Sequence, residues 1–237
     1  MPRLFLPIFD YNQYITIKGE KAHYLINVLR LRQGNQFDAI NGKGKCFVLT
    51  IKEISKNKVI CEIKNIFECN LESPIFLTLA QGILKGYKMD LVIQKATELG
   101  VNEIVPIITK RSQIKHTRKL QRWQKIVEEA SKQSGRSTIP IIHKAINFYN
   151  FIDNFKPNVG LIFYEKEGKS LKEVSPKINE NKIILIIGPE GGFTEEEVNY
   201  AIQKDFTPIS LGKRILRAET ASISAITLLQ FLLGDMG

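Results

Sequence analysis

Ile183 to Ile187 form an unbroken aliphatic run that passes directly into Gly188, Pro189, Glu190, Gly191 and Gly192. Thr194 follows, with Glu197 three residues later. The run is strand-sized and reads as a buried strand, which the glycines and proline end. Thr194 and Glu197 form a capping-box pattern that starts a helix. Buried strand, tight loop and capped helix are the repeating unit of an α/β sheet. In such sheets ligands bind at the carboxyl ends of the strands, so this loop is the first place to look for a site.

The same alternation extends from Ile75 to the C-terminus. Strands are predicted at Ile75–Ala80, Glu103–Ile107, Ile139–Ile142, Val159–Phe163, Ile183–Ile187 and Thr207–Leu211. Helices are predicted at Met89–Leu99, Arg118–Ser134, Phe148–Phe155, Glu195–Lys204 and Thr220–Leu233. This pattern implies a mostly parallel α/β sheet. The first 70 residues differ. Tyr14–Ile17, Gln36–Ile40, Lys45–Ile54 and Lys58–Ile66 read as strands, and His23–Leu31 has helical spacing. Asn41, Gly42, Lys43 and Gly44 mark a hairpin turn. The short polar stretch from Asn70 to Pro74 is the best boundary, giving domains at 1–72 and 73–237.

Charge narrows the partners. The chain of 237 residues carries a formal +10 and a pI near 9.4, so anionic partners lead, above all nucleic acid. Between Lys110 and Lys144 ten basic residues face only Glu128 and Glu129. That concentration favours a phosphate-contacting surface over a plain solvated helix face. An apolar fraction of 43% excludes a disordered tail protein. No apolar run approaches the roughly 18 residues of a membrane span, and no secretory signal pattern is evident. Cys46, Cys61 and Cys69 lack CxxC spacing, which argues against a disulfide framework and against zinc and fits a reducing cytoplasm. His23, His116 and His143 show no ligand spacing, so no metal is expected.

Three stretches carry chemistry. The glycine loop after Ile187 lacks GxxxxGK[ST] and GxGxxG, Pro189 has no N–H, and Glu195, Glu196 and Glu197 crowd the helix start. A neutral or cationic ligand suits it better than a triphosphate; a plain strand-to-helix turn is the bland alternative. The segment from Ser210 to Ala221 sets Lys213, Arg214 and Arg217 beside Glu219 after a second strand end. Such cations could hold a phosphate or favour the anion of a base. Lys85 and Lys88 precede an amphipathic helix and could reach RNA.

Four motifs then occur in order. They are Lys85, Gly86, Lys88, Met89 and Asp90 with Ile93 to Val101; Glu129, Ala130 and Gln133 to Arg136; Ile187 to Phe193; and Leu211, Gly212, Arg214 to Arg217 and Glu219 to Ala221. Pro2, Arg3 and Phe5, and His23, Tyr24 and Val28 to Arg30, fit the same pattern. Together they resemble the bacterial 16S ribosomal RNA uridine-N3 methyltransferases of the SPOUT superfamily, over the whole chain. Lys213 and Ala218 fill positions that vary in that pattern. The resemblance implies an N-terminal PUA-like β-barrel that helps bind RNA and a C-terminal α/β domain with a trefoil knot. It also implies a homodimer acting on the small ribosomal subunit.

The resemblance places S-adenosylmethionine in two loops, on Ile187, Gly188, Glu190, Gly191 and Gly192 and on Leu211, Gly212, Ile215 and Leu216. For RNA it points to Arg3, His23, Arg30, Arg32, Lys85, Lys88, Arg111, Lys115, Arg118, Arg136 and Arg214. Uridine N3–H must lose its proton, which costs about 3–4 kcal/mol near neutrality. A guanidinium that stabilises the uracil anion offsets part of that, which makes Arg217 the catalytic candidate with Arg3 or Glu219 as helpers. Two other readings fit the same basic surface: an RNA-binding assembly protein without catalysis, and a related ribose 2′-O-methyltransferase.

Overall fold

The computed structural model describes residues 3–6, 8, 12–69, 71–166 and 168–237. Of Arg3 only the backbone is described, and Pro2 and Asn70 lie outside the described residues. The chain divides into two compact units, one of residues 1–72 with 132–139, the other of 73–131 with 140–237.

The first unit is a curled five-stranded sheet. Its strands are β1 (Arg3–Phe5), β2 (Tyr14–Lys18), β3 (Gln36–Ile40), β4 (Lys45–Ser55) and β5 (Lys58–Glu68), in the order β1-β3-β4-β5-β2. β1 joins β3 in parallel and the other pairs are antiparallel. Register shifts at Val48/Leu49 and Ile51/Glu53 bend the long β4–β5 ribbon, as bulges do. Phe37, Phe47, Leu49, Ile51, Val59 and Leu25 fill the concave side. The helix expected over His23–Leu31 starts earlier and is irregular: α1 (Glu20–His23) leads into a π turn at Tyr24–Val28.

Cys46 and Cys69 form a disulfide with Cα atoms 5.3 Å apart, against the expectation of free thiols. The β4–β5 register puts Cys46 opposite Phe67, and the Cys69 N–H donates to Gly44 O, so pairing rather than spacing brings the two together. Cys61 stays free and buried, and that burial pushes its thiol up to about 12, which leaves it inert.

Residues 132–139 are stitched into this unit by Glu72. One carboxylate oxygen accepts from Arg136 Nη2 at 2.6 Å, the other from the Ser137 and Thr138 backbone N–H groups at 2.8 and 3.0 Å. Arg136 is only 5% exposed. The expectation that it faces RNA is therefore corrected: its guanidinium is committed to Glu72 inside the unit.

The second unit is an eight-stranded sheet with all pairs parallel. Its strands are β6 (Phe76–Gly82), β7 (Glu103–Ile108), β8 (Ile141–Ile142), β9 (Ile146–Asn147), β10 (Val159–Phe163), β11 (Lys169–Ser170), β12 (Lys182–Ile187) and β13 (Phe206–Ser210). Its helices are α2 (Lys88–Glu98), most of α3 (Leu120–Ser134), α4 (Phe148–Asn154), α5 (Leu171–Val174), α6 (Glu195–Ile202) and α7 (Ala218–Leu233). The strand order is β11-β13-β10-β12-β6-β7-β8, with β9 also on β7. β12 lies between β10 and β6, which is why its sequence is aliphatic without alternation. Phe148, Phe151, Phe193, Val198 and Phe206 pack on one face of the sheet. On α7 the buried Gln230 accepts from Ser73 Oγ and donates to Leu99 O, fixing the helix beside α2. Among the described residues no helix is long and apolar enough to cross a membrane.

Candidate active site

The carboxyl ends of β10, β12 and β13 open into one cavity of about 580 Å³, within the range of small-ligand sites. The loop after β12 forms one wall and Leu211 to Arg217, after β13, the other. Phe163, Tyr164 and Glu165 line it from the end of β10, and Lys88 from the start of α2.

Glycines let the first wall form. A Cβ on Gly82 would lie 2.4 Å from the Pro189 nitrogen and 2.7 Å from the Gly188 carbonyl carbon, so the loop leaves β12 in direct contact with the end of β6. Gly192 has φ +67°, a conformation that L side chains rarely adopt, and a Cβ there would sit 3.0 Å from a Glu165 oxygen. Arg111 Nη1 donates to Gly191 O at 3.1 Å and to Phe193 O at 3.2 Å. Glu190 accepts from the Lys85 N–H at 3.0 Å and lies 3.7 Å from Lys88 Nζ. The capping box at the head of α6 is present, and its Glu197 is buried and also accepts from Lys110 N at 2.7 Å.

The second wall is open and mixes Leu211, Ile215 and Leu216 with Arg214 and Arg217. Gly212 has φ +106° and turns the chain after Ser210. Arg214 and Arg217 are exposed on the cavity, and Arg217 is the N-cap residue of α7. Glu219 lines the same space, and its Oε2 is sealed from solvent with no hydrogen-bond partner among the described residues. A buried acceptor left in that state suits a donor from a ligand.

The structure thus gathers Ile187, Gly188, Glu190, Gly191, Gly192, Leu211, Gly212, Ile215, Leu216, Arg214, Arg217, Glu219 and Lys88 at one cavity. It does not gather the rest. Arg111 faces the back of the glycine loop rather than the cavity lining, and Lys115 Nζ donates to Thr109 O and Lys110 O at 2.8 and 2.9 Å. Arg118 is exposed before α3; His23, Arg30 and Arg32 are exposed on the first unit. The Arg3 side chain lies outside the described residues. Gly82, Phe163 and Glu165 escaped the sequence reading. The signal for the last two was available, because Phe163 ends, and Glu165 closely follows, a strand that lies beside β12 in the same sheet.

An RNA methyltransferase domain family matches residues 71–230, and an RNA methyltransferase PUA domain family matches residues 17–64. The chain belongs to the RNA methyltransferase family so matched. Ribosomal RNA small subunit methyltransferase E of Buchnera aphidicola (subspecies Acyrthosiphon pisum) is 37% identical over 99% of this chain and 95% of its own. The enzyme of the same name from Bacillus subtilis is 32% identical over 91% and 89%. The crystal structure of ribosomal RNA small subunit methyltransferase E from Neisseria gonorrhoeae, bound to S-adenosyl methionine, is 35% identical and superposes with a TM-score of 0.86 over 100% of both chains. Every residue of the cavity falls inside the matched RNA methyltransferase domain.

Proposed function

We propose that this chain transfers a methyl group from S-adenosylmethionine to N3 of a uridine in 16S ribosomal RNA of the small subunit. The observation that carries the reading is the single cavity in which the glycine loop of β12 meets Arg217 and Glu219. The cavity fits the cofactor. It is walled by the backbone of Gly188 to Gly192, where Gly192 has φ +67°, and holds a desolvated acceptor on Glu219. Bound there, S-adenosylmethionine supplies a methyl already activated by its sulfonium.

The protein's task is then position and charge. The two loops hold the cofactor, Arg217 faces the uracil oxygens and stabilises the anion, and Glu219 accepts the hydrogen bond of N3–H and then its proton, which leaves the N3 lone pair free to take the methyl. Residues 1–72 act as the PUA-like RNA-binding domain and residues 73–237 as the catalytic domain. Lys85, Lys88, Arg118 and Arg214, with His23, Arg30, Arg32 and Arg3, contact RNA. A ribosomal substrate puts this work in the cytoplasm. The crossover β12–α6–β13 strides over β10, and α7 returns to pack on β12 and α2, which supports a trefoil knot at the C-terminus. Leu228, Phe231 and Leu232 leave an apolar stripe on α7, Phe231 being 59% exposed, which supports a homodimer.

Mass mapping of 16S RNA after incubation of small-subunit particles with enzyme and labelled cofactor tests the reading. One methyl on the base of a uridine supports it. A methyl on ribose, or none, overturns it.

A further inference from the structure

Gln81, one residue before the end of β6, is in register with Ile187, the last residue before the glycine loop. It is fully buried, as is Ser222 in the second turn of α7. Gln81 Nε2 lies 2.9 Å from Gly82 O and 3.3 Å from Gly188 O, and Ser222 Oγ lies 2.5 Å from Gln81 Oε1. The donors and acceptors fix the direction of each bond. Nε2 carries two hydrogens and faces two carbonyl oxygens. Turning the amide over would set Oε1 against both of them. Oε1 must therefore accept, and Ser222 must donate. Its hydroxyl also sits 2.8 Å from Ala218 O, the usual back-bond of a helical serine, so one proton is shared between two acceptors.

We propose that Gln81 is a positioning residue that sets the cofactor loop and the catalytic turn of α7 in one frame. Its amide holds Gly188, on one wall of the cavity, and through Ser222 the turn that carries Arg217, Ala218 and Glu219, on the other. An aliphatic residue of the same length would pack as well but would give the Gly82 and Gly188 carbonyls no donor and Ser222 no acceptor on β6. The polar choice makes sense if the distance between methyl donor and base matters, since a displacement of about 1 Å at a reacting pair costs on the order of a hundredfold in rate. The inference rests on the proposed methyltransferase reading and adds the link between its two walls.

The test uses full-length protein, calorimetry with S-adenosylmethionine, and single-turnover methylation of small-subunit particles at saturating cofactor. Ser222→Ala removes only the tether to α7. It should keep cofactor affinity within about threefold and lower the rate about tenfold. Gln81→Met keeps the volume and loses both tethers, so affinity and rate should both fall about tenfold or more, and adding Ser222→Ala should cost nothing further. Gln81→Glu gives a sharper readout. Its protonated carboxyl can donate to Gly188 O and its carboxylate cannot, so cofactor affinity should rise as pH falls, a trend that a space-filling role would not produce. Wild-type affinity and rate in Gln81→Met and Ser222→Ala, or losses that simply add, overturn the proposal. If Gln81→Met does not fold, Ser222→Ala decides alone through its split between rate and affinity. A wild-type chain that neither binds cofactor nor methylates would instead overturn the function on which the proposal rests.

Discussion

The Arg111 guanidinium donates to the carbonyl oxygen of Gly191 at 3.1 Å, and the Cβ of Arg111 lies 3.1 Å from where a Cβ on Gly191 would stand. The missing side chain of Gly191 is the space that Arg111 uses. A basic residue from the most positive stretch of the chain is thereby a brace for the glycine loop. Arg111→Met should weaken S-adenosylmethionine binding about five- to tenfold, the loss of a charge-assisted hydrogen bond at a partly solvated site. The salt dependence of RNA binding should hardly change. Calorimetry and salt titration on the same variant check both; a reduced salt slope with normal cofactor affinity would return Arg111 to the RNA surface.

Within the most positive stretch, the exposed cations of α3 and the segment before it are available to phosphate. Arg118, Lys119 and Lys125 are all solvent-facing. Reversing the three to Glu should lower RNA affinity and reduce the magnitude of the salt slope by about two to three, roughly one per lost phosphate contact. Cofactor affinity should stay. An unchanged slope marks this face as solvated only.

The elements that follow from local rules were legible in the sequence. Gln36–Ile40 is a strand with the bounds read from its residues, and β12 differs from the aliphatic run only by Lys182. Thr194 and Glu197 cap α6 as their spacing indicated. What escaped depends on distant partners. Arg136 finds Glu72 64 residues away and Arg111 finds Gly191 80 residues away, so a count of charges along the chain could not tell cations held by the protein's own acceptors from those turned to solvent. Cys46 meets Cys69 because of strand register. The three-residue β1 is too short to carry a pattern and exists through its pairing with β3. α7 begins at Ala218, two residues before the position read from the sequence, because Arg217 is its N-cap without a side-chain cap to advertise it.

Glu72 predicts an acid-sensitive first unit. Burial alone pushes its carboxyl up, but the Arg136 guanidinium, the Thr138 N–H and Ser137 hold it below the ordinary carboxylate value. A folded value below the unfolded one gives stability that is full above the unfolded value and is lost as pH falls through the folded one. Glu72→Gln should destabilise the protein by about 2–3 kcal/mol near pH 7, less than for a fully enclosed pair because Glu72 keeps some solvent contact. The gap to wild type should narrow from neutral to acid pH, as the wild-type carboxyl protonates. Urea unfolding at both pH values measures it, and an equal gap at both would contradict the pairing.

Phe231 tests the dimer. Its ring stands out from α7 beside Leu228 and Leu232. Phe231→Lys should convert a two-chain particle to a single chain in sedimentation at micromolar protein, with little loss of folded stability, because an exposed ring contributes little to the core of one chain. A wild-type protein that sediments as a monomer would remove the dimer from the account.

Arg217 bears most directly on the central claim, and single-turnover methylation of small-subunit particles between pH 7 and 9.5, with cofactor binding measured separately, is the measurement. Arg217→Lys keeps the charge and loses the planar fork that can reach two acceptors together. The account predicts cofactor affinity within a few-fold of wild type and a rate lowered at least tenfold at pH 7. That rate should recover as pH approaches the ionisation of free uridine, because the base then ionises without help from the guanidinium. A normal rate at pH 7, or a loss of rate that follows a loss of cofactor affinity and does not recover with pH, would contradict it.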